Sequence, residues 1–276
     1  MNSVPNKPKL IAWIPLVLGI FLLANEMIWI TVSGGGWFEL DPRPSAIQRV
    51  FGVAYMLAFF TTQTNLFLGV MFIIIARYQT NRAYSWFMGS TMLMMITFFA
   101  YWSLLLDFDN KIIRWDDPYF TLSTLFTHGI NPFTGFIFLF TIRKRLIIDK
   151  RILGRCALHM MIFYTFNALL YGVASQVVND EAGRPVIIGG SVYGFLNLQR
   201  LFMIDFSANP AAGVIANLAL FLFCPFFPIG CSSLWIKMAK IQTTTHSYYR
   251  WLDHLQNRYR QFKTRRGGRK SSRNDN

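Results

Sequence analysis

Six long apolar runs constrain this chain more than any other feature; they lie at about residues 11–32, 51–76, 83–106, 119–142, 153–177 and 212–236. A bilayer core of ~30 Å is crossed by about 20 residues of helix, so every run is long enough to span it. The composition agrees, with 53% of the 276 residues hydrophobic, 17% aromatic and only 14% charged, which excludes an ordinary water-soluble domain. Backbone groups in hydrocarbon must find partners within the chain, and runs of this length do so as helices. The expected fold is therefore all-α: a polytopic membrane protein of six transmembrane helices. The first run is too long for a signal-peptide core and is not followed by a small-x-small cleavage site, so it reads as a retained helix.

The charges orient the bundle. There are 27 Lys and Arg against 13 Asp and Glu, a formal charge of +14. With the N-terminus inside, 21 of the 27 basic residues fall in inner segments: Lys7, Lys9, Arg77, Arg82, the six between Arg143 and Arg155, and eleven from Lys237 to Arg273. The outer loops hold most of the acids, among them Asp107, Asp109, Asp116, Asp117, Asp180 and Glu181. Basic residues favour the cytoplasmic side, which predicts a plasma-membrane protein with both termini cytoplasmic.

Two domains are expected, a transmembrane domain over residues 1–242 and a basic tail over 243–276. In the tail Tyr248, Trp251, Leu252, Leu255, Tyr259 and Phe262 recur at helical spacing among Arg250, Arg258, Arg260 and Lys263. That pattern predicts an amphipathic helix lying on the membrane, followed by a disordered basic end from Thr264. Its expected partners are membrane lipid and anionic headgroups, and no nucleic acid is needed to explain it. The outer connection 178–211 is the least polar of the loops, but its apolar segments Val186–Gly190, Tyr193–Leu198 and Leu201–Phe206 are too short to span, which predicts a lid or re-entrant piece. Cys156, Cys224 and Cys231 have no metal-ligand spacing and read as small buried apolar residues.

Polar side chains inside spans are costly, so the few that occur are the functional candidates. The second run holds Thr61, Thr62, Gln63, Thr64 and Asn65; the fourth holds Ser123, Thr124, Thr127, His128, Asn131 and Thr134. Counted from the outer ends at 1.5 Å per residue, Thr61 and Thr62 lie ~15 to 17 Å deep and His128 ~14 Å. Helical spacing puts Thr61, Thr64 and Asn65 on one face, and Thr124, His128 and Asn131 on another. Pro132 removes the bond to the His128 carbonyl and predicts a kink there, with Gly129 and Gly135 thinning the wall.

A threonine hydroxyl becomes a nucleophile when a base takes its proton, and histidine is such a base. Thr61 or Thr62 with His128 thus forms a minimal acyl-transfer pair, with Asn65 or Asn131 to orient the ring or donate to an oxyanion. The competing reading is that threonines bond back to their own helix and polar groups merely join helices. Glu26 in the first run is either a substrate-side acid or a rim residue. His159, counted ~13 Å below His128, reads as a packing residue; that mismatch argues against a haem, and no cofactor or metal is expected.

The segments Phe59-Phe60-Thr61-Thr62-Gln63-Thr64-Asn65-Leu66 and His128-Gly129-Ile130-Asn131-Pro132 resemble the signatures of the androgen-induced membrane hydrolase family and its bacterial six-helix relatives. The resemblance covers about residues 50 to 236. It implies an intramembrane threonine hydrolase of fatty-acid esters, with His128 as base and a threonine as nucleophile. Thr-x-x-Asn points to Thr62, and aromatic-Thr-x-x-Thr-Asn points to Thr61. The chain departs from the family in lacking outer-loop prolines and in its basic tail. The alternative function is a non-enzymatic transporter, or a scaffold whose tail binds anionic lipid or a partner.

Overall fold

The computed structural model describes residues 11–34, 46–102, 118–179, 185–188, 204, 206 and 208–244. The tail helix expected after residue 243, Lys7 and Lys9, and most of the acidic loop residues lie outside the described residues. The described chain is mostly helical, and six helical stretches are long and apolar enough to cross a membrane: Trp13–Val32, Phe60–Arg77, Asn81–Ala100, Thr121–Arg145, Arg151–Ala174 and Pro210–Met238. It is therefore a multi-pass membrane protein.

In chain order the elements are α1 (Trp13–Gly34), α2 (Ala46–Phe51), a 3-10 segment (Gly52–Ala58), α3 (Phe60–Arg77), α4 (Asn81–Ala100), α5 (Pro118–Leu125), a π turn (Phe126–Ile130) and α6 (Asn131–Ile142). After a 3-10 turn at Arg143–Arg145 come β1 (Ile147–Asp149), α7 (Arg151–Ala174), β2 (Gln176–Asn179), β3 (Pro185–Ile188), α8 (Pro210–Phe223), α9 (Phe226–Met238) and β4 (Gln242–Thr244).

Besides the fourth run with its π turn, three others depart from single straight helices. The second begins as α2 and the 3-10 segment, joined at Gly52 with φ +54, and turns α-helical only after the extended Phe59. The sixth divides at Cys224-Pro225, since proline offers no N–H to the turn before it. The fifth stops at Ala174, and Gln176–Asn179 pairs antiparallel with Pro185–Ile188, so part of the expected lid or re-entrant piece is a hairpin. Residues 180–184, 189–203, 205 and 207 of that loop lie outside the described residues.

Small residues set a close backbone contact between two helices. A Cβ on Gly19 would lie 2.8 Å from the Gly69 carbonyl oxygen and from Ile73 Cγ1, and one on Gly69 would lie 2.9 Å from Leu23. The pairing of 19 with 69 and 73, and of 69 with 19 and 23, makes α1 and α3 antiparallel. Helices in lipid gain little from apolar burial against each other, so this close backbone approach is a main source of their association. Around it Phe72, Phe87 and Phe138 pack edge to face at 4.9 to 5.6 Å between centroids.

One end of the bundle is basic. Arg77, Arg82, Arg143, Lys144, Arg145, Lys150, Arg151, Arg155, Lys237 and Lys240 all lie at that end of their helices, and Asp149 is the one carboxylate there among the described residues. A two-stranded parallel ladder, Ile147↔Gln242 to Asp149↔Thr244, ties the α6–α7 connection to the end of α9.

Gly69→Leu is expected to destabilise the protein by roughly 1–3 kcal/mol through overpacking. Gly172→Ala, where an added Cβ meets nothing within 4 Å, is expected to be neutral. Thermal unfolding in detergent compares the two.

Candidate active site

Proline chemistry shapes the site before any catalytic argument is needed. Pro132 has no N–H to give to His128, its acceptor four residues back. The helix responds by widening rather than simply kinking: the Asn131 N–H reaches five residues back to the Phe126 carbonyl, closing the π turn. Two carbonyls, those of Thr127 and His128, thereby lose their partners one turn on. Both are met by side chains of other helices. Asn65 Nδ2 on α3 donates to the Thr127 oxygen at 3.2 Å, and Trp102 Nε1 at the end of α4 donates to the His128 oxygen at 3.0 Å.

Asn65 is the brace between the two candidate segments. Its Nδ2 also donates to the Thr61 carbonyl at 2.9 Å, and its Oδ1 accepts from Asn131 Nδ2 at 2.7 Å. With both amide hydrogens used on carbonyls, Asn65 has none left for an oxyanion. Its geometry is that of an orienting residue, fixing the first turn of α3 against the π turn. Asn131 Oδ1 is buried and unpartnered. Thr64 turns to the third span, its hydroxyl 3.0 Å from that of Thr97.

The His128 ring lies flat against Tyr101, with centroids 3.8 Å apart and planes inclined by 20°. Nδ1 is 3.2 Å from the Thr124 carbonyl oxygen and 3.0 Å from Thr127 Oγ1. A carbonyl only accepts, so Nδ1 carries the proton. The Thr127 hydroxyl spends its own hydrogen on the Ser123 carbonyl at 2.8 Å, which leaves its oxygen to accept from Nδ1 as well. Nε2 therefore holds the lone pair, and it faces Thr61 Oγ1 at 3.4 Å. That is slightly beyond the ~2.6–3.2 Å of a working proton transfer, as is common before substrate packs against the pair.

Thr62 is buried, about 100° further round α3 from Thr61, and no described hydrogen bond joins it to His128. The depth counted along an unbroken second helix loses its basis, because the chain before Phe60 is not α-helical. Counted from the basic end, Thr61 lies about 24 Å above Arg77 and His128 about 21 Å above Ile142, so the two remain level.

Glu26 is fully buried, and neither carboxylate oxygen has a hydrogen-bond partner. From the Gly19–Gly69 crossing it is seven residues along α1, and Thr62 is seven residues along the antiparallel α3, which sets Glu26 at the level of the threonines. It is thus a buried group and not a rim residue. Next to it, Asn25 Nδ2 is buried and unpartnered.

His159 corrects a second depth count. Its ring is 5.6 Å from that of Phe60, the residue before Thr61, because α7 enters the bundle already raised: Ile152 and Cys156 meet Gly89, eight residues into α4. The ~13 Å mismatch read from the sequence does not hold. His159 packs on Phe60 with Nε2 buried and unpartnered, and both ring nitrogens of His128 face threonine oxygens. Among the described residues no three His, Cys, Asp or Glu side chains gather as a metal set.

Tyr101, Trp102 and the Thr124 carbonyl escaped the sequence reading. An aromatic pair at the end of a span reads as an interfacial belt, which masked its contacts with His128. No family model, curated protein or solved structure matches this chain.

Asn65→Ala orphans the Thr127 carbonyl and Asn131 Nδ2, while the Thr61 carbonyl keeps the Thr64 hydroxyl, and is expected to cost roughly 2–4 kcal/mol, each orphaned group contributing ~1–3 kcal/mol before relaxation. Trp102→Phe, which orphans one carbonyl, is expected to cost about half as much. Melting temperatures of the two variants in detergent check the order.

Proposed function

We propose that this protein is an intramembrane hydrolase of lipid (fatty-acid) esters, with Thr61 as nucleophile and His128 as general base. In this reading it sits in the plasma membrane with its basic end cytoplasmic and its site opening towards the outer half of the bilayer. The observation that carries it is the Thr61 Oγ1–His128 Nε2 contact, in a hydrogen-bond arrangement that leaves Nε2 as an acceptor. The resemblance of the Thr61–Asn65 and His128–Pro132 segments to the membrane hydrolase family supports the same roles.

The chemistry runs in two halves. Thr61 Oγ1 attacks the ester carbonyl carbon as Nε2 takes the hydroxyl proton, and the tetrahedral intermediate then expels the alcohol, which leaves with that proton. Water, deprotonated by the same nitrogen, attacks the acyl-threonine, and the fatty acid departs as Thr61 recovers its hydrogen. The Thr124 carbonyl plays the part a carboxylate plays in other triads, fixing the tautomer and receiving Nδ1–H. The oxyanion would form beside the first turn of α3, whose leading N–H groups have no acceptor within their own helix and lie at its positive end. Tyr101 and Asn65 keep ring and nucleophile in register.

A fluorophosphonate probe is expected to label the purified protein on Thr61. Thr61→Ser should retain labelling, Thr61→Val should abolish it, Thr62→Ala should leave it intact, and His128→Ala should slow it by about 10²–10⁴-fold. Peptide mapping by mass spectrometry reads the site, and undiminished labelling of Thr61→Val overturns the assignment.

A second reading, transport, is favoured by Glu26, since an intramembrane carboxyl without a protein partner suits a site loaded by a proton or solute. Solute flux in proteoliposomes that is lost in Glu26→Gln but kept in Thr61→Val would favour it over hydrolysis.

A further inference from the structure

We propose that the face of the Tyr101 ring stabilises the positive charge His128 takes on when Nε2 accepts a proton. The proposal rests on His128 acting as the base described above, and it assigns to a neutral aromatic ring half of what an acid does in other hydrolase triads.

A triad carboxylate has two tasks: it fixes the tautomer by accepting from Nδ1, and it offsets the imidazolium charge once the other nitrogen holds the nucleophile's proton. Here the Thr124 carbonyl performs the first. Being neutral, it supplies little of the second. The ring nitrogens otherwise face the Thr61 and Thr127 hydroxyl oxygens, at 3.4 and 3.0 Å, and among the described residues no carboxylate meets either of them. From the moment Thr61 gives up its proton until the alcohol carries that proton away, a cation therefore stands in an apolar layer, where charge is expensive.

The ring against it has the geometry for the second task. Phe72, Phe87 and Phe138 meet edge to face with centroids 4.9 to 5.6 Å apart, an arrangement that neutral rings favour. Tyr101 and His128 instead lie nearly face to face, with centroids 3.8 Å apart and planes inclined by 20°. Such contact sets the negative faces of two neutral rings against each other, whereas a cation over the same face is attracted. The stack is thus worth more to the imidazolium than to the imidazole, and interactions that strengthen as the transition state forms are the ones that accelerate a reaction.

Tyr101 is also held in place. It is buried, and its hydroxyl shares a hydrogen bond with the Thr124 side chain, so one residue of α5 fixes both the imidazole tautomer and the ring stacked upon it. Trp102 packs against the Tyr101 ring at 5.4 Å and 84° while its Nε1 donates to the His128 carbonyl at 3.0 Å. The Tyr101 face consequently needs no rearrangement when the charge appears.

Replacing Tyr101 with phenylalanine and then with its mono-, di- and trifluorinated analogues drains the negative face of the ring at nearly constant size, a change that a space-filling role would not register. Carbon NMR of histidine-labelled protein in nanodiscs, at the pH where half of the wild-type His128 is protonated, reads its imidazolium fraction; the signal is the one missing from His128→Gln. Fluorophosphonate labelling of Thr61 reads the reaction. The imidazolium fraction is expected to fall along the series, and labelling to slow in the same order, by about tenfold from phenylalanine to the trifluorinated analogue. Thermal unfolding checks each variant, and if loss of the hydroxyl unfolds the protein, fluorinated tyrosines provide the same series. An imidazolium fraction that stays constant overturns the proposal, whatever the labelling does. A falling fraction in a protein whose Thr61 never reacts supports it and overturns the hydrolase reading alone.

Discussion

One absent hydrogen governs the interior of this bundle. Pro132 cannot donate, the turn before it widens, and two carbonyls are left facing an environment with no water to receive them. Asn65 and Trp102 fill those positions from two other spans, so a local defect in one helix becomes the point where three helices are joined. In a soluble protein solvent could relieve the same defect. In hydrocarbon the relief must come from side chains, and their placement is consequently specific.

The same event builds the candidate site. Widening the turn at 126–130 presents His128 to the first turn of α3, and Asn65, by holding both the Thr127 and Thr61 carbonyls, keeps Thr61 and His128 in one frame. The tautomer follows from neighbouring acceptors, with no carboxylate involved. Glu26, at the same level and without a partner, adds a second polar feature to an otherwise apolar layer. Away from this layer the bundle is held by glycine contacts and aromatic packing, and at its basic end by a short ladder between the α6–α7 connection and the end of α9.

Much of this was legible in the residues. The six runs appear as six spans, because the requirement to satisfy backbone groups in lipid leaves little choice of fold. Thr61, Asn65, His128 and Asn131 drew notice because polar groups at that depth are expensive, and the structure brings all four into one connected cluster. Choosing between Thr61 and Thr62 was beyond the sequence: the structure leaves Thr61 half-buried and Thr62 buried, and their difference is a rotation of one position about a helix whose start was misjudged. Phe59 interrupts the second run without a proline to announce it, so a helical count through it has no basis. The level of His159 failed for a related reason, since nothing along the chain states that α7 begins partway up α4.

What the sequence determined alone was the number of spans, the end that carries the positive charge, and which polar side chains lie inside, because each follows from transfer of a side chain or backbone group between water and lipid. What only the tertiary structure decided was which threonine meets the histidine, which ring nitrogen holds the proton, and that Tyr101 and Trp102 belong to the site. Those depend on helix rotation, axial offset and the partners of orphaned carbonyls, and these are properties of contacts between spans that no single span encodes.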